Sequence, residues 1–442
     1  MSRNLFGTVA AIALTAAASA AGAAETVVVV TSFPEEMTAV IEKAFETARP
    51  EFDVEILNKS TSSGVKYIQE IKDNNTADVF WASAPDAFEV LKSESLLLSA
   101  GITSPDIPEK IGTYPIHDPD GFYYGFAASG YGIMWNERYL EANGLPEARE
   151  WSDLTKPEYF GHVGMSSPSR SGTTHLTVET VLQGEGWDKG WAQWKWMAGN
   201  FASVTERSFG VPDGVNTGNF GFGVVIDFFG FSSRASGFPV NFVYPSVTSL
   251  VPANVGIVAN PANEAGARAF VEFILSPAGQ ETLLDPAIMR LPVNPATYAK
   301  APEGLPNPFT DTSIGAGVSF DVDKSGARYY VVSSLFDVMI TYRLDDLRAA
   351  VRAVQLAEQK HADGSNAEAA ALIAEARALI EEMPVTEEQS LTPEFAAAFT
   401  KVRKEQGDEI EQRQAELEQE WDAKVVANYQ RARELAEQAA GL

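Results

Sequence analysis

The sequence predicts an α/β fold that carries an all-helical C-terminal extension. Two observations predict the α/β part. Short β-branched or aromatic runs (Thr26-Val-Val-Val-Val-Thr31, Val54-Glu-Ile-Leu57 and Asp78-Val-Phe-Trp81) alternate with small polar loops and helical patterns, the order of a largely parallel sheet. The aromatic, glycine-rich run from Gly121 to Asn136 then predicts one long strand entering a second unit. The third observation is a shift in composition beyond Pro308, where apolar residues take helical spacing towards the C-terminus.

The chain of 442 residues is long enough for more than one domain, and 45% hydrophobic with 10% aromatic content marks it as folded. A formal net charge of −27 argues against nucleic acid as a partner. No cysteine is present, which excludes disulfides, thiol catalysis and cysteine metal sites. Four histidines without a His-x-x-x-His pair leave no basis for a zinc enzyme, so neither metal nor cofactor is expected. At the N-terminus Arg3, the apolar stretch Leu5 to Ala18 and Ala21-Gly22-Ala23 have the pattern of a secretory signal peptide over residues 1–23, so export is expected.

Along the first unit, Ser32-Phe33-Pro34 follows the first strand, and a helix with Met37, Val40, Ile41, Ala44, Phe45 and Ala48 on one face comes next. Asn58 to Gly64 is a hydroxyl-rich loop before a helix expected from Val65 to Ile71. Ala82-Ser83-Ala84-Pro85 opens a third helix carrying Phe88, Val90 and Leu91. Ser32, Phe33, Ser62, Ser63, Gly64 and Ser83 therefore fall beyond the carboxyl ends of strands, where α/β sheets bind ligands.

In the second unit the run Gly161-His-Val-Gly-Met165 predicts a strand, and Leu176, Val178, Val181 and Leu182 predict a helix after it. Between them stand Ser169, Arg170, Ser171, Gly172, Thr173 and Thr174. A helix start leaves backbone N–H groups unpaired and carries partial positive charge, so hydroxyls, a guanidinium and a glycine there make a seat for a small anion. An ordinary Ser/Thr cap accounts for the same residues. Phe222-Gly-Val-Val-Ile-Asp-Phe-Phe229 predicts a buried strand ending in Asp227. A buried acid needs a partner, either a ligand amine or hydroxyl or a structural arginine such as Arg207 or Arg234. Val240 to Tyr244 and Asn254 to Val258 are returning strands, and Ala262 to Leu275 is a helix ended by Pro277.

The extension shows Ile340, Leu344, Leu347, Val351 and Val354 on one helical stripe, a break at Asp363-Gly-Ser-Asn366, and a second helix to Met383. Thr392-Pro393-Glu394 predicts the start of one long helix to the terminus, with Phe395, Phe399, Trp421 and Leu435 on its stripe. The helices are expected to pack on their own chain as a removable appendage beginning near Arg343.

No catalytic motif is complete. Ser63-Gly-Val-Lys66 lacks the companion motifs of serine acyl-transferases, Gly164-Met-Ser166 lacks the second glycine of a nucleophile elbow, and Gly221-Phe-Gly223 leads into a strand instead of a helix. His162 and His175 flank the anion-type loop and are minor candidates for touching a ligand.

Trp151-Ser-Asp-Leu154, Phe160-Gly-His-Val163, Ser167-Pro-Ser-Arg-Ser-Gly-Thr173 and Ala269-Phe-Val-Glu-Phe-Ile-Leu-Ser-Pro-Ala-Gly-Gln280, in this order, resemble the periplasmic solute-binding proteins of ABC importers. The group resembled is that of ferric-ion, phosphonate, hexose-phosphate and phosphoglycerate binders, and the likeness spans about Thr26 to Asn294. It implies a two-lobed periplasmic binding protein fold of type II kind, closing on one ligand. Lobe 1 would hold residues 24–124 and 238–295, lobe 2 residues 125–237 and 296–342, and the extension 343–442. It also implies a monomeric, non-catalytic receptor that delivers a small anionic ligand to an inner-membrane permease or reports it to a membrane sensor kinase. Ferric binders carry adjacent tyrosines where this chain has Phe228 and Phe229, and phenylalanine offers iron no oxygen. The Arg207-Ser-Phe-Gly-Val-Pro212 and Ile226-Asp-Phe-Phe229 segments instead resemble phosphonate and phosphoglycerate binders, which assigns Arg207, Asp227 and Phe228 to the ligand site. Asp227 would select the end of the ligand away from phosphorus.

Overall fold

The computed structural model describes residues 24–112, 114–400 and 410–442, so the expected signal peptide lies outside the described residues. Strand β1 (Glu25–Thr31) buries Val27, Val29 and Val30 and runs parallel to β2 (Phe52–Asn58) on one side and β3 (Val79–Ala82) on the other. Parallel strands need cover on both faces. Helices α1 (Glu35–Ala48), α2 (Thr61–Ile71) and α3 (Pro85–Ser93) supply it. In α1 the buried residues Met37, Ile41 and Phe45 follow the expected spacing. Helix α2 begins four residues earlier than expected, because Ser60 caps it by accepting from the Ser63 amide.

After a small hairpin, β4 (Lys110–Ile111) with β5 (Tyr114–Pro115), comes β6 (Tyr124–Asn136), buried along its whole length. It serves both lobes. Its first half pairs antiparallel with β11 (Leu250–Ile257), which joins it to β3. Its second half pairs antiparallel with β9 (Phe222–Ile226) and β10 (Val240–Val243). In lobe 2, β7 (Val163–Ser166) is parallel to β9 and to β8 (Phe201–Thr205). Helices α4 (Glu137–Asn143), α5 (Gly172–Glu185), α6 (Trp187–Ala198), α7 (Gly210–Thr217) and α8 (Asp227–Ala235) belong to this half. Helices α9 (Glu264–Leu275) and α10 (Pro277–Thr282) return to lobe 1, and β12 (Leu291–Pro292) lies on β6. The strand order β2-β1-β3-β11-β6-β9-β7-β8 is thus parallel in its outer parts and antiparallel at the crossing. Two boundaries also differ from those expected. Strand β10 pairs within lobe 2, and Leu305, Phe309 and Ile314 pack on the core of lobe 1.

Ahead of the extension come α11 (Val322–Ala327) and α12 (Tyr329–Phe336), which straddle the lobes. From α11, Ser325 donates to Asp86 of α3 at 2.7 Å. Three residues on, Arg328 forms a bidentate pair with Glu179 of α5, both bonds 2.8 Å. Asp86 also holds His175 Nδ1 of α5 at 2.7 Å, so one buried carboxylate joins α3, α5 and α11. A π-helical turn, Asp337–Thr341, leads into α13 (Leu344–Lys360), α14 (Ala367–Glu381), α15 (Glu387–Ser390), α16 (Pro393–Ala396) and α17 (Gln412–Gly441).

Helices α13, α14 and α17 pack together and share one core with lobe 2, including Trp191, Trp194, Leu347, Val351 and Leu435. A Cβ at Gly199 would come within 2.4 Å of Val351, so the bundle sits against the bare backbone of lobe 2. The Trp187 indole donates to Val385 O and Tyr429 to Met339 O, both at 2.9 Å. The appendage expected from sequence is therefore an integral part of lobe 2. The single long helix is also corrected. Phe395 and Phe399 pack on Trp421 with ring centroids 6.2 and 5.2 Å away, whereas 26 helical residues would separate Phe395 from Trp421 by about 39 Å. Phe395 and Phe399 lie beside α17 instead.

Candidate functional site

Between the lobes lies a narrow, nearly closed crevice. Lobe 1 contributes Ser32, Phe33, Ser60, Thr61 and Ser83, and lobe 2 contributes Arg170, Ser171, Thr173, Arg207, Ser208 and Phe209 together with Phe228 and Phe229. Helices α2 and α5 start here from opposite walls. Each is capped by a serine, Ser60 accepting from Ser63 N at 3.3 Å and Ser171 from Thr174 N at 3.2 Å. Both helix starts direct partial positive charge at the crevice. The walls touch at Gly172, where a Cβ would lie 2.7 Å from Ala84 and 2.8 Å from Thr61, so glycine is required by close approach.

Eight residues expected at the site line the crevice: Ser32, Phe33, Ser83, Arg170, Ser171, Thr173, Arg207 and Phe228. Seven do not. Ser62 donates across the lobes to Ser169 O at 2.8 Å, Ser63 bonds back to Ser60, and Gly64 backs onto Phe80. These three are drawn inside because α2 has already begun. The Ser169 hydroxyl turns away to Ser167 at 2.6 Å, Thr174 is buried behind the first turn of α5, and Gly172 is the contact point itself. Asp227 is wholly buried and accepts from Gly130 N, Phe228 N and the Tyr244 hydroxyl, each at 2.8 Å. Burial pushes its carboxyl up to about 6. Neither Arg207 nor Arg234 pairs with it, so the acid is a structural anchor of the crossing strand β6. His162 bonds Tyr139, and His175 bonds Asp86; neither lines the crevice.

The cations are differently held. Arg207 reaches across to lobe 1, with Nη2 at 3.3 Å from Asn58 Oδ1 and 3.5 Å from Ser32 O, and burial lowers its pKa. Arg170 donates to Thr205 O at 3.5 Å and lies 3.9 Å from Glu206. Arg290 was missed by sequence reasoning. It is fully buried, donates from Nη2 to Ser83 at 2.9 Å and lies over the faces of Phe228 and Phe33, 4.0 and 4.5 Å from their centroids. Burial pushes its guanidinium down to about 9. Its one sequence signal is a lone cation inside the apolar run Ile288-Met-Arg-Leu291. Ser60 and Thr61 also line the crevice, because α2 begins a turn earlier than its apolar spacing indicates, and Ser208, Phe209 and Phe229 join them from lobe 2.

The crevice widens outward past Phe209, Phe228 and Phe229 into a mouth rimmed by Glu35, Glu36, Glu42 and Asp213. Among the described residues no group of three or more His, Cys, Asp or Glu is placed to hold a metal ion, and no helix is long and apolar enough to cross a membrane.

The family of bacterial extracellular solute-binding proteins matches residues 74–313. The phosphoglycerate transport regulatory protein PgtC of Salmonella typhimurium is 31% identical over 340 residues, covering 75% of this chain and 81% of PgtC. Among solved structures, the periplasmic binding protein AfuA of Actinobacillus pleuropneumoniae, with exogenous fructose-6-phosphate bound, superposes with a TM-score of 0.62 at 22% identity, covering 73% of this chain and 99% of AfuA. The periplasmic binding protein P5PA gives 0.60 at 20%, covering 73% and 99%. Iron-bound HitA of Pseudomonas aeruginosa gives 0.58 at 16%, covering 70% and 98%. The two-lobed α/β architecture is common to all three, and on the sequence match the chain belongs to the bacterial extracellular solute-binding proteins.

Proposed function

We propose that this protein is the periplasmic receptor of an ABC importer and captures a small phosphorylated or phosphonate organic anion between its lobes. The observation that carries the reading is the pair of capped helix starts, α2 and α5, facing one crevice with Thr61, Ser171, Thr173, Arg170 and Arg207. Tetrahedral oxyanions are held by such backbone N–H groups, hydroxyls and forked cations. The residues lining the crevice include no carboxylate to repel an anion and no tyrosine to ligate ferric iron. They also include no histidine or acid to act as general base, in keeping with a binder and not an enzyme. The phosphoglycerate in the name of PgtC and the sugar phosphate bound to AfuA point to the same ligand class.

Calorimetry of the full chain against 3-phosphoglycerate, fructose 6-phosphate and 2-aminoethylphosphonate tests this. Micromolar or tighter binding of at least one, about −8 kcal/mol, is expected. Heat from none of them, with a visible charge-transfer band on ferric loading, would overturn the reading in favour of an iron receptor. A second reading rests on the word regulatory in the name of PgtC. In it the loaded receptor signals to a membrane sensor kinase, and solute uptake survives deletion of the gene while the transcriptional response is lost.

A further inference from the structure

The two lobes meet along two edges that are held in opposite ways. At the edge of α3 and α5 the contacts are short and buried. Asp86 of lobe 1 accepts from Ser325 and holds His175 of lobe 2, both at 2.7 Å, and all three side chains are fully buried. Ser62 of lobe 1 donates to Ser169 O of lobe 2 at 2.8 Å. Beside them the Arg328–Glu179 pair is also fully buried. Helix α11, which supplies Ser325, lies beyond the residues 74–313 that match the family, so this bolt is an addition to the matched part of the fold.

The other edge runs between α1 of lobe 1 and α7 and α8 of lobe 2, where the mouth of the crevice separates the walls. Among the described residues, the polar contacts that cross it come from one side chain. Arg207 Nη2 lies 3.3 Å from Asn58 Oδ1 and 3.5 Å from Ser32 O and Lys59 O, the outer limit for such bonds. Glu36 of lobe 1 acts on Asp213 of lobe 2 across the same mouth. Burial and then this like charge raise the Asp213 carboxyl above its usual range. Parting the first edge would strand a buried acid and a buried ion pair without their partners. Parting the second gives up three long bonds to neutral acceptors and relieves a repulsion. We propose that the lobes swing about the edge bolted at Asp86, and that the ligand enters and leaves through the mouth between α1 and α8, with Arg207 as the clasp. This rests on the crevice being the ligand site. Parting on both sides, which would open the crevice wider, is opposed by the bolt.

The chain has no cysteine, so engineered cysteines carry labels without background. Spin labels on Glu36→Cys with Ser236→Cys span the mouth, and labels on Glu94→Cys with Lys189→Cys stand on either side of the bolted edge, all at exposed positions. Distances in the ligand-free chain are expected to be broad across the mouth and to narrow and shorten with 3-phosphoglycerate or fructose 6-phosphate. The second pair is expected to give one narrow distance that shifts less. A second pair that broadens or shifts as much as the first overturns the proposal, as does a mouth pair already narrow and unchanged by a probe that binds. Association kinetics give an independent reading. A bulky polyethylene glycol maleimide on Glu36→Cys is expected to slow uptake of the bound probe at least about tenfold, and the same label on Glu94→Cys to leave it within about twofold. No slowing at Glu36, or equal slowing at both sites, places the entrance elsewhere and overturns the proposal. If no phosphorus compound binds, the functional reading falls by itself, and the ligand-free distances alone decide: a narrow mouth distribution overturns the swing, and a broad one beside a narrow second pair supports it.

Discussion

Asp337, in the π-helical turn that begins the bundle, accepts a 2.6 Å hydrogen bond from the hydroxyl of Ser167, in the loop that builds one wall of the crevice. Ser167 in turn bonds Ser169, so the turn supports the whole approach to Arg170 and Ser171 from below. Asp337→Ala leaves buried hydroxyls without their acceptor. A loss of about 1–3 kcal/mol in urea unfolding is expected, with weaker binding of whichever anion the crevice takes. Unchanged affinity would show that the loop keeps its shape unaided.

A chain ending after Arg343 is expected to fail as a folded unit. It loses the helices that cover Trp191, Trp194 and Met197, and it leaves Arg343 without Asp422, with which it makes two bonds of 2.6 Å. Each large side chain returned to water is worth about 1.5–3 kcal/mol, so a few of them exceed the stability of an ordinary domain. Calorimetric melting checks this: a cooperative transition in the truncated chain would mean that lobe 2 closes its own core.

Asp227→Asn should act on stability rather than directly on the ligand. The carboxylate receives donors on both oxygens, from Gly130 and Tyr244 on one and Phe228 on the other. An amide can accept on only one side and must point its NH2 at a donor on the other. A destabilisation of about 1–3 kcal/mol is expected. Normal stability with lost binding would return Asp227 to the ligand.

Lys195 sets a pH dependence. It is buried under the bundle, its ammonium 2.7 Å from Glu382 O, and burial pushes it down to about 7 against the pull of Glu381 and Glu382. The unfolded chain keeps this proton up to the ordinary lysine range, while the folded protein releases it near 7. Between those values the unfolded state binds more protons, so stability rises with pH. The melting temperature is expected to climb from pH 7 to about 9.5 in the wild type and to flatten in Lys195→Met; parallel slopes would exclude this group.

The strands were legible because β-branched runs fit a pleated, doubly covered sheet, and Ser171 was legible because a hydroxyl before an apolar helical stripe is a cap. Ser62, Ser63 and Gly64 were misplaced by one helical turn, since the same hydroxyls serve a loop or a first turn equally well. Arg290 and Asp227 depend on partners 207 and 97 residues away, Ser83 and Gly130, which local pattern does not carry. The bundle was seen as helices but not as core, because an apolar stripe shows that a surface is buried and not what buries it.

The bridge from Ser325 to Arg328 has a mechanical consequence. Three residues reach only about 10 Å when fully extended, and here they are coiled between an anchor on α3 and one on α5. Parting the lobes at this edge must break the Asp86 contacts or unwind the chain at Arg328, so the bridge acts as a spring that resists gaping. When only a fraction f of molecules is binding-competent, apparent affinity scales with f. A bridge that holds this edge shut therefore lowers the fraction of molecules open to a ligand and weakens its apparent affinity by the same factor.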